Sequence, residues 1–203
     1  MKYPDLFDSV PRIRLHDSLA AFLGAVGDGI IEYSYLDAVK LAGHSCPTVA
    51  SAYGLTRRAL QALYGETLPE RGAIRVEFRE DPRSGVTGVV ANVVSMLTGA
   101  AHDTGFKGLA GQFVRRNLLF FTANVPLEIR FTRQDTGAQV DVAANVGQVP
   151  GNPEMSVLMQ RGLGGEASAD ELQRFGALWQ ERVRRILLDH GDDPEVFVVR
   201  RVG

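Results

Sequence analysis

His44 and Cys46 stand two positions apart in Gly43-His44-Ser45-Cys46-Pro47, and Cys46 is the single cysteine of 203 residues. Proline lacks an N–H and already holds a helical φ, so Pro47 marks a first helical position and predicts a helix over 47–64. Cys46 then sits at a helix N-terminus, where unpaired N–H groups and the helix dipole favour a thiolate. A thiolate with an imidazole makes a pair of zinc ligands, or a nucleophile with its base. The plainer use of a lone cysteine is as a small buried apolar residue.

A second polar group lies in the segment 98–112, which carries His102, Asp103 and Lys107 among Gly99, Gly105, Gly108 and Gly111. Four glycines in that span predict a loop making close backbone approaches. Gly99 and Gly105, with the cation of Lys107, are candidates for holding a cofactor or phosphate through exposed N–H groups. The spacing matches neither the Walker loop nor the dinucleotide fingerprint.

The elements that must position these groups follow from periodicity. Residues 1–15 read as an extended arm. Asp17 caps a helix over 18–26, Ser34 with Asp37 caps a second short helix, and Gly43 closes it. Residues 73–79 alternate as a half-buried strand and include Glu77, a reserve ligand. Residues 86–97 read as a buried helix. Three strands follow at 114–122, 127–133 and 138–146, the last two joined by a Gly137 hairpin. A short helix covers 154–162, and a long one capped by Ser168 and Glu171 runs over 168–188. The apolar face of that long helix, Trp179 included, reads as core or dimer packing. A strand at 195–202 ends the chain. The reading is one domain: a helical arm over 1–42, an α+β core over 43–146 and a helix–strand extension over 147–203.

The net charge of −2 and the absence of a basic run argue against nucleic acid. Neither a membrane-length apolar stretch nor a signal-peptide pattern is present, and one cysteine suits a reducing cytoplasm. The doublets Arg115-Arg116, Arg184-Arg185 and Arg200-Arg201 are expected on solvated faces. His190 suits the negative end of its helix.

Gly43-His44-Ser45-Cys46-Pro47 leading into a helix with Ala52-Tyr53-Gly54, then Leu97-Thr98-Gly99 and a glycine-rich loop, resembles the formylmethanofuran dehydrogenase E-subunit family. The resemblance covers about residues 40–125. It implies a helix–strand–helix–three-strand α+β core with a mixed sheet covered on one face. That core is similar to the C-terminal domain of glyceraldehyde-3-phosphate dehydrogenase. It also implies a homodimer and zinc near the His/Cys pair. The family's C-terminal zinc finger is missing, since no cysteine follows Cys46. Ala42 stands where the family has its first histidine, and Val89, Asn92 and Ala100 stand in place of a cysteine, an aspartate and a cysteine.

His44, Cys46 and His102 would then supply three zinc ligands and leave one position for water or a small carbonyl or one-carbon substrate. Asp103 would orient an imidazole or act as a base. The alternatives are a metal-free enzyme with Cys46 as nucleophile and His44 or His102 as base, or a non-catalytic interaction protein that retains the fold.

Overall fold

The computed structural model describes residues 3–203, so Met1 and Lys2 of the N-terminal arm lie outside the described residues. The arm, expected to be extended over 1–15 with a short turn, holds a short helix α1 (Leu6–Ser9) and then the extended strand β1 (Ile13–His16). Asp17 caps α2 (Ser18–Phe22) by accepting the N–H groups of Leu19 and Ala20. This helix ends four residues before the predicted stop, with Gly24 just beyond it at φ 70°. Strand β2 (Ile30–Tyr33) returns antiparallel to β1.

Helix α3 (Tyr35–Ala42) carries the Ser34–Asp37 capping box and closes on Gly43 at φ 76°. Its successor α4 (Pro47–Tyr64) starts from Cys46, as Pro47 predicts. The chain continues through β3 (Ile74–Phe78), α5 (Thr87–Thr98), β4 (Leu119–Phe120), β5 (Ile129–Arg133) and β6 (Gln139–Ala144). After these come α6 (Glu154–Leu163), α7 (Ala169–Arg184), a π turn over Arg185–Asp189 and β7 (Phe197–Val202).

Five strands pair in the order β4-β3-β5-β6-β7, parallel only between β3 and β4. Ile74, Val76 and Phe78 of β3 are buried, whereas Arg75 is exposed and Glu77 half-buried. Helix α4 packs on β6 and β7, and α5 packs on α4, so the chain is α+β with a mixed sheet packed by helices. The strand predicted over 114–122 shrinks to two residues. Phe113, Asn117 and Thr122 hold φ near 59°, 57° and 56°, and extended backbone excludes such values. Among the described residues no helix is long and apolar enough to cross a membrane.

Gly54 lets α4 approach the sheet. A Cβ there would lie 2.7 Å from Cζ of Phe197, a ring with no solvent exposure. Gly54→Ala gains about 1 kcal/mol of helix propensity but overpacks this contact at a cost of about 1–3 kcal/mol. The expected outcome is a net loss of stability, read as a lower urea midpoint with an unchanged slope.

Candidate functional site

The loop from Gly43 to Cys46 is fixed at both ends. Gly43 takes the left-handed conformation that lets its N–H bond to the Val39 carbonyl, and Cys46 begins α4. Between them Ser45 is held on three sides. Tyr35 Oη lies 2.9 Å from Ser45 Oγ, and that hydroxyl donates to Gln180 Oε1 at 2.9 Å. The Ser45 carbonyl accepts from Trp179 Nε1 at 2.9 Å and Gln180 Nε2 at 3.3 Å. Burial drives the Tyr35 phenol well above its ordinary pKa, against the lowering effect of its bond to Ser45, so it stays a neutral donor.

His44 is exposed, and its Nδ1 lies 2.9 Å from the Ala42 carbonyl oxygen. A carbonyl offers no proton, so Nδ1 carries the hydrogen and the neutral ring has its lone pair at Nε2. His44 lines a cleft of about 160 Å³ with Leu41, Ala42, Val89, Asn92 and Val93. Among the described residues, His44 and Asn92 alone bring polar side chains to that lining. Three positions at which the family resemblance expects metal donors, 42, 89 and 92, thus meet at one cleft carrying a methyl, an isopropyl and a carboxamide.

Cys46 does not line this cleft. The residue is 9% exposed within the hydrophobic core, and Sγ accepts the Val49 N–H at 3.4 Å as the cap of α4. His102 lies on the exposed loop after α5, where Nδ1 meets Asp103 Oδ1 at 2.6 Å and the ring leans on Phe121. The bond from His102 lowers the pKa of the exposed Asp103 carboxyl, and the attraction of the ring adds to this. The bond occupies the one His102 nitrogen that it uses and leaves the pair in solvent. Glu77 is engaged by Arg75 at 2.9 Å.

Among the described residues no three His, Cys, Asp or Glu side chains are grouped so as to hold a metal ion. Zinc takes about four donors at 2.0–2.3 Å, and His44, Cys46 and His102 are not grouped as three such donors among the described residues.

Internal packing takes up Gly99, Gly105 and Gly108 of the 98–112 loop, whereas Gly111 faces open space. A Cβ on Gly105 would lie 2.9 Å from the Arg116 backbone, and one on Gly99 would lie 2.9 Å from Arg115 Nη1. Lys107 is exposed on the same loop. Arg115 departs from the solvated face expected of the doublets. It is buried and donates to Asp17 Oδ1 at 2.7 Å, while Arg71 donates to Asp17 Oδ2 at 2.9 Å. Arg184 keeps to expectation, half-exposed between Glu181 and Asp189. His190 pairs with Asp193 at 2.9 Å.

The chain matches no protein-family model and no curated protein. Sequence reasoning passes over Ser45, Gln180 and the Trp179 N–H because their bonds join residues about 135 positions apart. The one signal within reach is Trp179 itself, since a partly buried indole needs a partner for its N–H.

Proposed function

We propose that the chain binds a small carbonyl-bearing or one-carbon ligand in the cleft between α3 and α5, without a metal. The His44 Nε2 lone pair accepts a proton-bearing group of the ligand, and the Asn92 carboxamide bonds its carbonyl oxygen. The observation that carries this reading is the Nδ1–H bond from His44 to the Ala42 carbonyl, which makes Nε2 the accepting nitrogen of the ring. A cleft of about 160 Å³ falls below the roughly 300 Å³ at which drug-sized sites begin, so the ligand is a few heavy atoms across. In this reading the chain keeps the location of the site that the family resemblance implies and replaces its metal donors. Cys46 serves as the cap of α4, which argues against its use as the nucleophile.

Formamide, with three heavy atoms, is a suitable probe. The efficiency ceiling of about −1.5 kcal/mol per heavy atom puts its Kd at about 0.5 mM or weaker. Titration followed by amide shifts is expected to give saturable changes at residues 42–44 and 89–93 that His44→Gln abolishes. Linear, scattered shifts that His44→Gln leaves unaltered would overturn the proposal.

A further inference from the structure

Resting on the reading of His44 as the acceptor of the site, we infer that Trp179 and Gln180 of α7 are positioning residues for the His44 imidazole. The ring of His44 is exposed and, among the described residues, makes a single hydrogen bond, to the Ala42 carbonyl at the end of α3. One bond in solvent holds a ring only as well as the backbone beneath it is held. Gly43 holds the chain only through its N–H bond to the Val39 carbonyl and has no side chain to pack.

The restraint comes from α7. Gln180 grips Ser45 at two points with one carboxamide: Oε1 receives the side-chain hydroxyl and Nε2 reaches the backbone carbonyl. Trp179 donates to that carbonyl from a second direction. Together they fix the Ser45 side chain and the peptide that follows Ser45, one residue beyond His44, while Gly43 and Ala42 belong to the closed end of α3. The footing of α7 is firm. Its first turn has a complete Ser168–Glu171 capping box, Trp179 packs against Phe175, and Val183 is buried. The C-terminal helix α7, through its hold on Ser45, thus sets which nitrogen of His44 faces the cleft.

The test reads the His44 tautomer directly, by nitrogen NMR of histidine-labelled protein at a pH where the ring is neutral, with His44→Gln assigning the signal. Wild type is expected to show the Nδ1–H form alone. Trp179→Phe and Gln180→Ala are each expected to lose this single form and show a mixture of both tautomers. Gly54→Ala, which lowers stability by another route, is expected to keep the wild-type tautomer. Circular dichroism confirms folding, and if one variant fails to fold the other decides.

A folded Trp179→Phe or Gln180→Ala protein that kept the Nδ1–H form alone would overturn the inference. An equal change in Gly54→Ala would do the same. Formamide binding is a separate readout, so its failure would sink the proposed ligand site and leave the tautomer result standing.

Discussion

Asp17→Ala is expected to cost about 3–5 kcal/mol of folding stability, the range for removing one partner from a buried ion pair. The Asp17 side chain is 4% exposed and carries three duties. It caps α2 through the N–H groups of Leu19 and Ala20, it receives Arg71, and it receives Arg115 from 98 residues away. Removing it leaves two guanidinium groups beside each other with no carboxylate between them. Urea unfolding at neutral pH measures the loss.

The pH dependence follows from the same site. Burial raises the Asp17 pKa, but the Ala20 N–H and the two guanidinium groups outweigh it and hold the carboxyl below its ordinary value. A folded pKa below the unfolded value of about 3.9 means that the ionised form stabilises the fold. The contribution is complete above the unfolded value and fades as pH falls through the folded one. Wild type is therefore expected to lose this increment below about pH 4, and Asp17→Asn to show a flatter acid limb.

Gly72→Ala is expected to be at least as damaging. Gly72 has φ +88°, and a Cβ on it would lie 1.6 Å from Arg115 Nη1 and 2.2 Å from Cζ. Its N–H is bonded to the Thr98 carbonyl at 2.7 Å, so the peptide has no freedom to swing aside. Left-handed backbone alone costs an alanine about 1–2 kcal/mol. Displacing the guanidinium from Asp17 adds a loss of about 3–5 kcal/mol. A double-mutant cycle separates the two. In an Arg115→Ala background Gly72→Ala should cost only the backbone part, about 1–2 kcal/mol. An undiminished cost there would show that the guanidinium is not what fills the space.

What was legible in the chain was local. Pro47 marked the start of α4, the Ser34–Asp37 and Ser168–Glu171 boxes marked α3 and α7, and alternation marked β3. Each signal lies within a few residues of its consequence. The strand predicted at 114–122 is cut short by positive φ at Asn117 and Thr122; asparagine tolerates that conformation, but a β-branched threonine does not announce it. Arg115 read as solvated because its carboxylate partner belongs to the N-terminal arm. The candidate site divided the same way: His44 and Cys46 stood out by type, but the turn of each side chain did not. Cys46 went into the core as a cap, His102 stayed with Asp103 in solvent, and the lining beside His44 came from α5.

Zinc content tests the account most directly, because the proposal rests on a cleft with one imidazole and no assembled set of donors. Protein purified with zinc present and then dialysed is expected to retain no stoichiometric zinc, with wild type, His44→Gln and Cys46→Ser indistinguishable by elemental analysis. One zinc per chain in wild type, lost in both variants, would contradict it and return Cys46 from the cap of α4 to a metal site.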